Sequence, residues 1–169
     1  MTRCFVSVGS NIDKAKNIAA GLQSLRETFG DLIVSPIYET AAVGFDGEDF
    51  YNFVVGFESD LAAHDIFEKL RELEFRHGRL KNSQKFSPRT LDLDLLLYGE
   101  EIIDDGILKL PRGDIENYLF VLQPLADIAS NFQHPILKKS YAQMLCEFDV
   151  KGNINLKVVP FPSSESTIR

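Results

Sequence analysis

Asp92 and Asp94 stand two residues apart in Ser87-Pro-Arg-Thr-Leu-Asp-Leu-Asp-Leu-Leu-Leu-Tyr98, a stretch that otherwise reads as a buried strand. Side chains alternate along a strand, so the two carboxylates share one face while Leu91, Leu93, Leu95 and Leu97 fill the other. Like charges this close repel, and carboxylates left unpaired among apolar neighbours are costly. A bound divalent cation removes both problems; hydrogen bonds or salt bridges from neighbouring groups are the alternative.

The segment leading into this strand carries Arg76, Arg79, Lys81, Lys85 and Arg89 without an acidic residue, in a protein of net charge −7. Arginine holds phosphate oxygens through paired donors and lysine supplies a mobile charge. Magnesium completes such a site with an octahedral shell of carboxylate, phosphate and water oxygens. A solvated basic loop is the plainer reading of the run taken alone. Position favours a polyphosphate site, because Arg89 leads directly onto the strand bearing Asp92 and Asp94. No G-x-x-x-x-G-K-[ST] loop or kinase glycine loop occurs, so arginines, metal and strand edges would have to hold a nucleotide. His64, His77 and His134 are scattered without partners at ligand or triad spacing, which points to surface or packing roles.

The elements that must position these groups follow from periodicity. Residues 3–8 alternate as a strand broken by Gly9-Ser10-Asn11, and Ala15, Ile18, Ala19, Leu22, Leu25 and Phe29 recur at helical spacing before Gly30. Leu32 to Tyr38 and Phe50 to Phe57 read as strands separated by a long loop, Thr40 to Glu48. Ile66, Phe67, Leu70 and Leu73 mark a second helix ending near Gly78, and the aspartate strand follows. The resulting β-α-β-β-α-β order is an α+β, ferredoxin-like arrangement, an antiparallel sheet with both helices on one face. Glu101 to Leu110 reads as short edge strands, Asp114 to Leu122 as a helix stopped by Pro124, Ser140 to Phe148 as another, and Asn155 to Val159 as a last strand. Residues 1–159 form a single expected domain, and the Pro- and Ser-rich residues 160–169 a frayed tail.

Composition bounds the function. A chain of 169 residues with two cysteines, Cys4 and Cys146, has neither a zinc-ligand spacing nor a disulfide framework, and both thiols read as small apolar residues in a reducing, cytoplasmic setting. The start of the chain lacks the apolar core of a signal peptide, and no segment approaches the roughly 18 apolar residues of a membrane span. The acidic balance argues against general nucleic-acid binding. Small-molecule substrates, no membrane partner and a monomer are expected.

Several separated motifs resemble the 6-hydroxymethyl-7,8-dihydropterin pyrophosphokinase family. These are Val8-Gly9-Ser10-Asn11, Tyr38-Glu39-Thr40 with Gly44, Tyr51-Asn52, Glu74 with Gly78-Arg79, Pro88-Arg-Thr-Leu-Asp-Leu-Asp94 and Phe120-Val-Leu-Gln-Pro-Leu125. The resemblance spans about the first 145 residues and implies transfer of the β,γ-diphosphate of ATP to a pterin alcohol, with AMP leaving. It implies that Asp92 and Asp94 bind two magnesium ions and that Arg79 and Arg89 close over the phosphates, with Lys81 and Lys85 as weaker helpers. Glu74 is similar to a nucleotide contact. Asn52 and the backbone from Thr40 to Val43 are similar to the readers of the pterin amide edge, and Phe50 and Phe120 to the aromatic pair stacking on its faces.

The chain also departs from that pattern. The family usually continues with Leu-x-x-Pro-His and a later arginine, whereas here Arg112 follows Leu110-Pro111 and Tyr118 precedes Leu119-Phe120. Arg112 can still offer donors to a phosphate, but Tyr118 removes a cation. Ala42 stands where a proline is usual, and Ser87 where a glycine is. Three functions therefore compete: the pyrophosphokinase, a catalytically weak or silent relative that binds pterin or nucleotide, and an unrelated metal-dependent transferase sharing only Asp-x-Asp. Retention of both aspartates and both loop arginines favours the first.

Overall fold

A computed structural model describes residues 1–40, 49–78, 90–148 and 156–161. Its core runs β1 (Thr2–Ser10), α1 (Lys14–Phe29), β2 (Ile33–Val34), β3 (Ile37–Thr40), β4 (Phe50–Ser59), α2 (Ala63–Arg76) and β5 (Asp92–Tyr98). The strands lie in the antiparallel order β5-β1-β4-β3, with β2 also on β4, as the ferredoxin-like reading requires. Ile18, Leu22 and Leu25 of α1 and Ile66, Leu70 and Leu73 of α2 recur every three or four residues, so each helix buries one stripe. Both stripes meet Val6, Val8, Phe53, Val55, Leu93 and Leu95 on one face of the sheet. Gly30, at φ 86°, ends α1 in a conformation open to glycine and returns its N–H to the Arg26 carbonyl.

The opposite face carries a second helical layer of α3 (Asp114–Asn117), α4 (Leu119–Ala129) and α5 (Tyr141–Glu147), packed on Phe5, Val54, Leu96 and Leu97. Leu97 thus departs from the expected alternation. Val6 faces Leu95 and Phe5 faces Leu97, leaving Leu96 as an extra residue, and this bulge turns Leu97 to the face that carries the aspartates. The helix break also moves. Tyr118, in extended conformation, separates α3 from α4, while Pro124 lies inside α4. Proline forfeits one bond to the carbonyl four residues back, and burial of Val121, Leu122, Leu125 and Ala126 outweighs that loss.

The expected strand from Leu32 to Tyr38 is divided into β2 and β3 at Ser35-Pro36. Pro36 has no N–H for the ladder, and Ser35 Oγ accepts the Val54 N–H at 2.9 Å instead. Between Glu101 and Leu110, β6 (Ile103–Asp104) and β7 (Lys109–Leu110) pair with each other in a separate two-stranded sheet. β8 (Lys157–Val159) adds to β3, and Phe161 meets Phe53 edge-on at 6.3 Å. Cys4 is buried as expected, whereas Cys146 is exposed on α5.

Candidate active site

Register places the candidate residues in a single row across four strands. Gly9 of β1 faces Asp92 on one side and Asn52 on the other, and Asn52 in turn faces Tyr38. Residues paired across neighbouring strands share a face, so an aspartate, a bare glycine, an amide and a phenol line up on the side of the sheet that carries α3 to α5. Asp94 lies beside Asp92 in the next row, opposite Ser7. The two carboxylates therefore do share one face, and both are half-buried.

Gly9 leaves the centre of the row low. A Cβ there would lie 3.1 Å from Asn52 Oδ1 and 4.0 Å from Asp92 Cβ, so any larger residue fills the space between amide and carboxylate. Asn52 Nδ2 donates to Thr40 Oγ1 at 3.0 Å, which leaves Oδ1 on the Gly9 side as an acceptor. Phe50 shares this face with Asn52 by alternation and pairs with Thr40. Tyr38 Oη donates to Asp127 Oδ2 at 2.5 Å and ties β3 to α4. Burial first, and that bond second, push the Tyr38 phenol well above its ordinary pKa, so it stays protonated.

β5 is the outer strand, and two groups cover its open edge. Glu74, buried on α2, accepts the Leu93 N–H at 2.9 Å, and the Arg112 N–H donates to the Leu96 carbonyl at 3.0 Å. The Arg112 guanidinium reaches over the aspartate face: Nη2 is 3.6 Å from Asp94 Oδ1, and Nε donates to Asp114 Oδ2 at 3.1 Å. Burial disfavours the Arg112 cation, yet Asp94, Asp114 and Asp92 outweigh it and raise its pKa. At the other end of the strand, Ser10 Oγ donates to the Thr90 carbonyl at 2.6 Å and so ties the start of the aspartate segment to β1.

Among the described residues no group of three His, Cys, Asp or Glu side chains forms a ligand cluster. Two adjacent carboxylates fit magnesium, which retains waters and shares substrate phosphates rather than filling an all-protein cage.

Of the residues singled out in the sequence, the structure brings Asp92, Asp94, Arg112, Asn52, Thr40 and Phe50 to this face of the sheet. Phe120 stands at the start of α4, stacked on Tyr118 with centroids 5.0 Å apart and planes 22° apart. Arg79, Lys81, Lys85, Arg89 and Val43 lie outside the described residues. His64 pairs with Asp105 at 2.6 Å, His77 with Ser24 at 3.0 Å, and His134 is fully buried. Sequence reading missed Asp114, although an acidic residue two positions after an arginine at a helix start was a signal for it. It also missed the Tyr38–Asp127 link, which depends on how α4 packs and leaves no local trace.

Residues 5–130 match the family described as 7,8-dihydro-6-hydroxymethylpterin-pyrophosphokinase. The chain is 32% identical over 153 residues to the 2-amino-4-hydroxy-6-hydroxymethyldihydropteridine pyrophosphokinase of Aquifex aeolicus, covering 89% of this chain and 95% of that one. It is 37% identical over 138 residues to the enzyme of the same name from Pseudomonas aeruginosa, covering 79% and 84%. The folic acid synthesis protein FOL1 of Dictyostelium discoideum is 31% identical over 96% of this chain, which spans 25% of that longer protein. In fold, the chain is similar to the Plasmodium falciparum HPPK-DHPS wild-type crystal structure, with a TM-score of 0.70 at 12% identity, over 87% of this chain and 44% of that one.

Proposed function

The chain belongs to the 7,8-dihydro-6-hydroxymethylpterin-pyrophosphokinase family, whose reaction in folate biosynthesis moves a diphosphate from ATP to the pterin alcohol, and we propose that the row from Asp92 to Asn52 is the floor on which this happens. The observation that carries the reading is the bare backbone of Gly9 between a carboxylate pair and an amide acceptor. A flat heterocycle over Gly9 would meet Asn52 at one edge and present its hydroxymethyl group towards Asp92 and Asp94.

Each residue then has a distinct task. Asn52 Oδ1 accepts from the N–H groups of the pterin amide edge, Thr40 fixes the amide through its hydroxyl, and the backbone to Val43 completes that edge. Phe50 and Phe120 stack on the two faces of the ring, which suits a polar aromatic ligand. Arg79, Arg89 and Arg112 hold the triphosphate, with Lys81 and Lys85 adding mobile charge. Asp92 and Asp94 would hold two magnesium ions, which supply neutralisation of the phosphate charge as it develops. Glu74, expected from the resemblance to touch nucleotide, acts through β5 by securing Leu93 between the two aspartates. The pterin oxygen forms a bond to the β-phosphorus as the bond from that phosphorus to the oxygen bridging it to the α-phosphorus breaks; AMP departs with that oxygen, and the hydroxyl proton passes to solvent water. Phosphoryl transfer of this kind asks the protein mainly for alignment and charge stabilisation.

Separation of the nucleotides after incubation with ATP and 6-hydroxymethyl-7,8-dihydropterin tests the proposal. AMP should appear in equal amount to the pterin diphosphate. ADP as the product would contradict attack at the β-phosphorus, and absence of any nucleotide product from a protein that still binds pterin would support the silent-relative reading.

A further inference from the structure

Arg112 is held in a way that bears on how metal reaches the aspartates. Its Nε donates to Asp114 Oδ2 at 3.1 Å while Nη2 faces Asp94 Oδ1 at 3.6 Å, and its backbone N–H is fixed to the Leu96 carbonyl at 3.0 Å. A guanidinium is planar, so the bond at Nε sets the plane in which both Nη groups lie. Asp114 thereby competes with Asp94 for the guanidinium and gives it a closer partner at the rim of the site. The guanidinium is partly exposed; desolvation disfavours its charge, and Asp94, Asp114 and, at longer range, Asp92 outweigh that and raise its pKa.

We propose that Arg112 is a resident counterion that a divalent cation must displace from Asp94, and that Asp114 is the positioning residue keeping the displaced guanidinium at the rim of the site, where a nucleotide phosphate receives it. The inference rests on the reading of Asp94 as a metal ligand. One oxygen cannot serve a guanidinium and a metal ion at full strength, and a fixed positive charge a few ångströms away opposes a second. Metal alone should therefore bind this protein weakly. Metal arriving with a triphosphate should bind well, because the phosphate takes over Arg112 as the metal takes Asp94. The chain's own arginine thus imposes an order: nucleotide with metal, not metal first.

Manganese titration followed by the electron paramagnetic resonance of free Mn²⁺ tests this, with and without the non-cleavable analogue α,β-methylene-ATP. Without nucleotide, Arg112→Gln should tighten Mn²⁺ binding about tenfold, whereas Arg112→Lys, which keeps the charge, should stay near the unmodified protein. With the analogue the order should reverse, Arg112→Gln binding Mn²⁺ and analogue more weakly. Asp114→Asn should weaken nucleotide-free Mn²⁺ binding, and that effect should largely vanish in an Arg112→Gln background, since it acts through the arginine. Unchanged nucleotide-free affinity in Arg112→Gln would overturn the counterion, and an equal Asp114→Asn effect in both backgrounds would overturn the positioning role. Asp94→Asn separates the two levels of the argument: if it leaves Mn²⁺ binding with the analogue intact, the metal-ligand reading itself fails.

Discussion

Asn52 Nδ2 donates to Thr40 Oγ1 at 3.0 Å, and this one bond fixes which end of the amide faces the bare backbone of Gly9. If Asn52 reads the pterin as proposed, the neighbouring strand takes part in that recognition through Thr40. Asn52→Ala should raise the pterin KM about ten- to hundredfold, the loss of one or two hydrogen bonds in a desolvated setting, with the ATP KM little changed. Thr40→Ala should give a smaller shift in the same direction, because it frees the amide to turn. Steady-state kinetics with each substrate varied in turn checks both.

Gly9→Ala tests the low floor. The added methyl would lie 3.1 Å from Asn52 Oδ1, so the amide must give way by a few tenths of an ångström. Pterin affinity measured by calorimetry should fall several-fold while melting temperature changes little. A variant with unaltered pterin affinity would place the ligand elsewhere.

Arg112→Ala should lower ATP affinity about ten- to hundredfold, the worth of a charge-assisted phosphate contact, with pterin binding scarcely affected. Tyr118→Arg should improve ATP use by restoring a cation to this segment. Loss of the Tyr118 stack on Phe120 works against that gain, so the improvement should appear in the ATP KM and not in the pterin KM.

Glu74 is 2% exposed, and its carboxylate takes the Leu93 N–H between the two aspartates. Glu74→Ala leaves that buried donor without this acceptor and should cost about 1 to 3 kcal/mol of stability, read as a lower denaturant midpoint. Glu74→Gln retains an acceptor oxygen and should cost less.

His134 gives the fold a pH dependence of defined sign. Its Nδ1 accepts the N–H groups of Ile136 at 3.2 Å and Leu137 at 3.1 Å, so protonation there would turn an acceptor into a donor facing donors. Burial, only partly opposed by Glu116, lowers its pKa below the ordinary value of 6.5. The unfolded chain therefore takes up the proton first, and stability is full above about pH 6.5 and declines as pH falls towards 5. His77, lowered by burial and then by Arg76, adds a change of the same sign. Denaturation at pH 7.5 and 5.0 should show the loss, and His134→Gln should reduce it to the part that His77 contributes.

The strands and helices of the core are legible in the sequence because their apolar periods are long and consistent, as for Ile18, Leu22 and Leu25 of α1. The shared face of Asp92 and Asp94 is legible for the same reason. Leu97 is not, since the bulge that turns it depends on how Phe5 and Val6 pair across the sheet. Nor is the place of Pro124, where burial of a whole helix face overrides a local preference. The link from Arg112 to Asp94 joins segments eighteen positions apart and arises only once the chain runs along the outer edge of β5.

The most direct test of the site is the rate of pterin-dependent AMP formation by the Asp94→Asn and Asp92→Asn variants, measured beside their melting temperatures. Removing one carboxylate charge should lower the rate by about a hundredfold or more, several kcal/mol of transition-state stabilisation, while both variants stay folded with only a small change in melting temperature, relief of the repulsion being offset at Asp94 by loss of the Arg112 contact. Variants that keep most of the unmodified rate would contradict the assignment of these aspartates to the chemistry.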